Sequence, residues 1–196
     1  MTTTTKMTTK KRTNGSPIKL QPNAFQFEIL ELASKQRSSK KKVEVLQEYD
    51  NPGLRSILIW NFDESIITLL PEGEVPYSSL KDQTALSGGF SDKLGASLTG
   101  GSVNNISYQG TEEKVDAQHT SIRNEYRKFY NFLKSGNDSL SSVRRETMFI
   151  QILEGLHPKE AEILVLVKDK KLQDKYKITL ANVQEAYPEI KWGGRS

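Results

Sequence analysis

The stretch VRRETMFIQILEGLHPKEAEILVLV, residues 143–167, carries the strongest structural signal in the sequence. Four of its apolar residues share the three- and four-residue spacing of one helix face: Phe149, Ile152, Leu153 and Leu156. Pro158, followed by acidic residues, indicates that a new helix starts after His157. The apolar run 163–167 fits either the core of that helix or a buried strand.

Working outward, the same periodicity predicts helices on both sides of this stretch. Upstream they cover AFQFEILELASKQ (24–36), KKKVEVLQEYD (40–50, with Ser38 or Ser39 as cap) and the core-rich LRSILIWNFDESIITLL (54–70). A long helix is predicted from Thr111 through Leu133, closing at Gly136. A last short helix follows Thr179 as its cap, and we expect the tail IKWGGRS to fray.

These elements predict a mainly α fold, a small helical bundle in two groups. Residues 1–22 hold almost no large apolar side chain and are expected to form a disordered basic arm. An N-terminal helical region (23–77) follows, then a Gly/Ser-rich loop or linker (78–110) where we place the domain boundary. A C-terminal helical domain (111–192) completes the chain.

Composition excludes several classes of protein. The 196 residues contain no cysteine, which rules out disulfides and thiolate metal sites. The apolar runs are too short for a signal sequence or a membrane span, so no membrane partner is expected. The net charge of +4 belongs to the arm: five of the 28 basic residues lie in 1–22, which has no acid, and the remaining 23 face 24 acidic residues.

Catalytic and cofactor motifs are not found. His119 lies among apolar positions of the predicted long helix, where a core histidine is expected, and His157 before Pro158 is expected to cap or turn. Neither has further ligands at regular spacing, so no metal is predicted. The loop GGFSDKLGASLTGG (88–101) lacks the spacing of a phosphate-binding loop. We therefore expect a non-enzyme without cofactor, whose electrically balanced body has no convergent reactive groups.

Basic clusters are the better candidates for a binding site. Cations in the first turn of a helix cost stability, which is a reason to look for an acidic partner. A solvated surface balanced by neighbouring glutamates is the alternative. Trp192 near the end is a candidate interface anchor, unless it packs on its own domain. The predicted nucleic-acid or partner contacts are Lys10, Lys11, Arg12, Lys35, Arg37, Lys40, Lys41, Lys42, Arg144, Arg145 and Trp192.

Three segments resemble a family of uncharacterised small proteins of contractile-tailed phages related to the T-even group, especially cyanophages. The segments are WNFDESIITLLPEGEVPY (60–77), VRRETMFIQILEGLHPKEAEILVLVKDKKL (143–172) and YKITLANVQEAYPEIKWG (176–193). The resemblance implies a phage protein made in the host bacterial cytoplasm, and it assigns no catalytic residue. Together with the basic clusters it predicts an accessory module that binds nucleic acid, weakly, or a protein partner that handles nucleic acid. A virion structural or assembly component is the alternative.

Overall fold

The computed structural model describes residues 19–77 and 119–194, and in these ranges the chain is mainly α, as the sequence predicts. The elements are α1 (Gln26–Lys35), α2 (Ser39–Glu48), α3 (Pro52–Phe62), α4 (Ile122–Glu125), a 3-10 helix (Tyr126–Phe132), α5 (Ser142–Gly155), α6 (Pro158–Lys168), α7 (Leu172–Tyr176) and α8 (Leu180–Ala186). The described ranges contain no strand, only two isolated β-bridges. None of their helices combines the length and apolarity needed to cross a bilayer.

The starts of α6 and α8 follow the local sequence signals, whereas the predicted helix 54–70 is helical only as far as Phe62. α6 begins at Pro158, and the preceding His157 accepts a hydrogen bond from the backbone N–H of Lys159 at 3.2 Å. The run 163–167 lies inside α6, which settles the choice between helix and strand in favour of helix. Thr179 caps α8 through reciprocal bonds with Asn182. The predicted helix start at Pro158 and the predicted cap at Thr179 are confirmed.

The predicted long helix up to Gly136 is wrong in its described part. His119 to Ser121 are not helical, because the N–H of Thr120 bonds to the carbonyl of Gly155 at 2.8 Å. Only one α-helical turn follows, and the chain then tightens into the 3-10 helix. The left-handed residue at the turn is Ser135, with φ 65°, and not Gly136. Glycine is required at 136 for another reason: a Cβ there would lie 1.9 Å from the carbonyl oxygen of Tyr130.

The 3-10 helix orders its side chains in three ridges, because residues i and i+3 eclipse in this geometry. Phe129 and Phe132 share the buried ridge and pack on Trp60, with ring centroids 5.5 and 6.1 Å away. Tyr130 lies on a solvent ridge and is 53% exposed. The sequence correctly predicts Trp60 as core: it is buried, and its indole N–H donates to Thr68.

Both helical groups contribute to one hydrophobic core. α2 packs on α8, where the Tyr187 hydroxyl donates to the carbonyl of Leu46 at 2.8 Å, and α1 and α3 pack on α6. Residues 78–118 lie outside the described ranges, as do the arm up to residue 18 and the last two residues. Within the described part, the boundary placed at 78–110 therefore does not separate two cores, and the two groups form one body.

The tail is held by the core up to Gly193, so the prediction of fraying is wrong for that part. The backbone N–H of Gly193 donates to the buried carboxylate of Asp63 at 3.2 Å. Trp192 is half-buried and packs against the core. Of the two readings of this tryptophan, packing on its own domain is the one that the structure bears out.

Candidate nucleic-acid interface

The turn between α1 and α2 brings five of the predicted basic residues together. Lys35 lies in the last turn of α1, Arg37 in the connection, and Lys40, Lys41 and Lys42 in the first turn of α2. The two helices pack against each other through apolar residues such as Ala33 and Leu46, which turns the charged side chains outward. Lys42 is half-buried and the other four are exposed.

These cations have little compensation from the fold. The first turn of α2 contains no acid, and the Ser38 side chain at the N-cap makes no capping hydrogen bond. Lys35 approaches Glu31 only at 3.9 Å, and Arg37, Lys40 and Lys41 pair with no carboxylate of the described residues. A cation beside a helix N-terminus costs about 0.3–1 kcal/mol through the macrodipole. The cations in the first turn of α2 therefore destabilise the start of the helix and are available to bind an external anion.

Lys177, which sequence reasoning missed, joins this surface from the C-terminal group. The Lys42 ammonium donates to the Lys177 carbonyl oxygen at 2.6 Å, and the Asn182 side chain donates to the Ser39 hydroxyl at 2.6 Å. The start of α8 thus lies beside the start of α2. We call the six residues the basic corner: Lys35, Arg37, Lys40, Lys41, Lys42 and Lys177. The lysine-rich stretch KDKKLQDKYK (168–177) was the available signal.

The basic corner borders acidic residues further along α2. A hollow of about 310 Å³ runs between α1 and α2, and its lining includes the cations Lys19 and Lys41 together with Glu44 and Glu48. The second half of α2 is therefore acidic. An anion with spaced charges would be attracted to the corner and repelled further along the helix.

The second basic cluster divides into one exposed and one buried residue. Arg144 is exposed in the first turn of α5. Arg145 is 6% exposed, and its guanidinium donates to the carbonyl oxygens of Asn131, Asn137 and Leu140 at 2.8, 3.1 and 3.0 Å. The prediction of Arg145 as a partner contact is therefore wrong: its donors already bind the 3-10 helix and the loop between that helix and α5.

The other predicted contact residues do not add to the basic surface of the described chain. Lys10, Lys11 and Arg12 lie outside the described residues. Trp192, as a half-buried side chain on the core, does not form a protruding anchor.

Four ionisable side chains converge elsewhere, contrary to the expectation of a body without such a cluster. They are His119, Arg123, His157 and Glu160. The His157 ring stacks on Phe27 at 4.9 Å, and the His119 ring meets the His157 ring edge-on at 5.9 Å. A hollow of about 360 Å³ beside them is lined by His119, Arg123 and Glu160.

Glu160 is the centre of this cluster and is fully buried. Its two carboxylate oxygens accept the backbone N–H groups of Gln26 at 2.7 Å and Ile122 at 2.6 Å. Those are the first residues of α1 and α4, while Glu160 itself lies in the first turn of α6. One carboxylate therefore joins the starts of three helices, satisfying N–H groups that lack partners inside their own helices.

Burial raises the pKa of Glu160 from its ordinary 4.5 to about 7, while the two backbone N–H groups and the charge of Arg123 pull it the other way. A pKa near neutrality in a cleft is a property of general acids and bases. Here, however, both oxygens are occupied by the backbone. The chemistry that the geometry supports is capping of helices. The described residues contain no group of three or more potential metal ligands.

The sequence model of the DUF6433 family, described as a family of unknown function, matches residues 29–87 and 80–174. The chain belongs to this family. The DUF6433 match includes the basic-corner residues on α1 and α2, the start of α5 and Glu160, and it ends before Lys177. No curated protein and no solved structure matches the chain.

Proposed function

We propose that this DUF6433 protein is a non-catalytic helical module that binds nucleic acid through the basic corner, either alone or within a complex that handles nucleic acid. The observation that carries the proposal is the set of exposed cations around the turn between α1 and α2, which meet no carboxylate of the described residues apart from the distant contact of Lys35 with Glu31. Phosphate groups are the anions that such a surface recognises best in a cell, because they supply a regular row of negative charges.

The corner favours contacts to the backbone of a nucleic acid over reading of its sequence. No aromatic residue belongs to it, and lysine binds phosphate as a point charge. The contacts are few, which predicts weak binding that decreases steeply as salt is added.

Origin in a contractile-tailed phage and synthesis in the host cytoplasm belong to the proposal through the sequence resemblance. A virion component remains the alternative. Mass spectrometry of purified particles separates the two: a stoichiometric copy number would favour the virion role, and absence would remove it.

The direct test is a fluorescence anisotropy titration of labelled duplex and single-stranded DNA at low salt. We expect the variant Lys40→Ala with Lys41→Ala to bind more weakly, and the slope of log affinity against log salt to fall by about 0.7–0.9 for each phosphate that the variant no longer neutralises. Lys40→Arg with Lys41→Arg is the matched control, since it keeps both charges and should keep the slope.

A variant without residues 1–18 separates the body from the arm. If it binds as the full chain does, the corner carries the interaction. If it alone loses binding while the alanine variant retains it, the assignment to the corner is wrong. No binding to either nucleic acid at low salt would remove the function.

A further inference from the structure

Large apolar side chains are exposed at three positions of the described ranges: Ile67, Tyr130 and Val143, at 45%, 53% and 73%. Backbone hydrogen bonds join the segment of Ile67 to the segment that follows Tyr130. The N–H of Lys134 donates to the carbonyl of Ile67 at 2.9 Å, and that of Leu69 donates to Phe132 at 2.8 Å. This short antiparallel bridge brings Ile67 beside the end of the 3-10 helix that carries Tyr130.

The 3-10 geometry places a cation in line with the tyrosine. Arg127 and Tyr130 are three residues apart, so their side chains leave the helix on the same ridge. Arg127 is exposed and lies over the Tyr126 ring, 5.9 Å from its centroid. Lys128, on the next ridge, is different, because its ammonium pairs with Glu125 at 2.6 Å.

A hollow of about 230 Å³ lies next to the exposed ring and is lined by Tyr130, Ile66, Leu133, Lys134, Ser135 and Gly136. Lys134 is exposed and makes no ion pair with the described residues. The nearest carboxylate known to contact this turn is that of Asp138, which accepts the N–H of Ser135 at 3.3 Å. The surface thus combines an open aromatic ring, a hollow lined by Lys134, and Arg127 one turn away on the ridge of Tyr130.

We propose that this surface, the Tyr130 platform (Tyr130, Arg127 and Lys134), binds a single-stranded segment of nucleic acid, with one base stacked on the tyrosine ring. The inference takes its ligand class from the proposed function and adds a second, distinct contact. Arg127 and Lys134 are placed to neutralise the phosphates that flank the stacked base. Charge complementarity and a free aromatic face are the two features shared by surfaces that bind single strands without sequence preference.

A duplex does not fit this platform, because its bases are already stacked and present no free face to a protruding tyrosine. The basic corner and the platform therefore make different predictions. The corner contributes phosphate contacts in any nucleic acid, and the platform contributes stacking only where bases are unpaired.

The test is anisotropy of fluorescein-labelled dT20, compared with a duplex of equal length, using the full chain. We expect Tyr130→Ala to weaken dT20 binding about tenfold and to leave duplex binding unchanged. Tyr130→Phe keeps the ring and should stay within about twofold of wild type. Val143→Ala is the control for loss of an exposed apolar side chain outside the platform. Arg127→Ala should lower the single-strand salt slope by about 0.7.

Each outcome bears on one proposal or the other. Equal dT20 binding by Tyr130→Ala and wild type would overturn the platform and assign the surface to a different occupant, such as an acidic protein segment. If the corner variant then still weakens binding, the proposed function stands without the platform. Weakening by Tyr130→Ala with no effect at Lys40 and Lys41 would retain the platform and move the function away from the corner. Duplex binding without dT20 binding overturns the platform alone.

Discussion

The basic corner and the start of α5 share one sequence signature and differ in what their cations contact. Both place cations in the first turn of a helix that has no acid there. At the corner, Lys40 and Lys41 are exposed and bind nothing in the described chain. At α5, Arg145 is buried and donates to three carbonyl oxygens, one in the 3-10 helix and two in the loop that follows it. A cation in the first turn of a helix therefore indicates an external partner only when no acceptor within the protein already binds it.

The largest test of this contrast is Arg145→Ala. The change leaves three carbonyl oxygens without their charged donor, so we expect the free energy of unfolding to fall by about 3 kcal/mol in urea denaturation. Arg144→Ala is the matched control at the neighbouring, exposed position and should stay within about 0.5 kcal/mol of wild type.

A loss below about 1 kcal/mol for Arg145→Ala would place this residue with the corner lysines, and the contrast between the two regions would disappear. Arg145→Lys sharpens the comparison, since an ammonium keeps the charge but cannot reach three acceptors in a fixed plane. Its stability should lie between those of the alanine variant and wild type.

Glu160 is a buried acidic residue at a helix start, and it can be compared with the buried cation Arg145. Its pKa is raised from 4.5 to about 7 in the folded protein, so the folded state holds the proton more tightly than the unfolded chain. The stability from this group is fully present below pH 4.5 and is lost as the pH rises to about 7. Glu160→Gln does not titrate. Its stability relative to wild type should therefore increase by roughly 3 kcal/mol from pH 4.5 to pH 8.

Urea denaturation of both proteins across that pH range measures this difference. A difference that is flat, or that changes in the other direction, would mean that the converging helix N-termini outweigh burial and hold the carboxylate ionised. Wild-type stability alone is not sufficient, because other carboxylates titrate in the same range.

Helices with a periodic apolar face could be predicted from the sequence, and the described part of the long helix near residue 119 could not. Phe149, Ile152 and Leu153 are buried as their spacing indicates. The failure at Thr120 comes from its hydrogen bond to Gly155, a residue more than thirty positions away. Local propensity contains no information on such contacts.

The candidate site could also be predicted only in part from the sequence. The lysines at 40–42 are adjacent in sequence, so their clustering could be read directly. Lys177 lies beside these lysines because its carbonyl accepts a hydrogen bond from Lys42, 135 positions earlier in the chain. Arg145 is not available as a surface contact because its guanidinium is buried and bonded to backbone carbonyls. The exposure of Tyr130 depends on a 3-10 helix where the sequence predicted an α-helix. Which residues share a surface depends on the tertiary fold. A pattern of charges in the sequence identifies only residues that could lie on that surface.

The smallest test concerns the backbone of the corner. Lys177 has φ 51°, a left-handed conformation that costs a residue with a Cβ about 1–2 kcal/mol. Lys177→Gly removes this cost and retains the carbonyl that accepts from Lys42, while adding freedom to the unfolded chain. We expect a net gain of about 0.5–1 kcal/mol in the free energy of unfolding.

Lys177→Ala is the control, because it removes the charge but keeps the strained backbone, and it should give no gain. A stabilised glycine variant that binds nucleic acid more weakly would show that the corner keeps its lysine at a cost to the fold. Unchanged binding would remove Lys177 from the interface and reduce the corner to the five residues on α1, α2 and their connection.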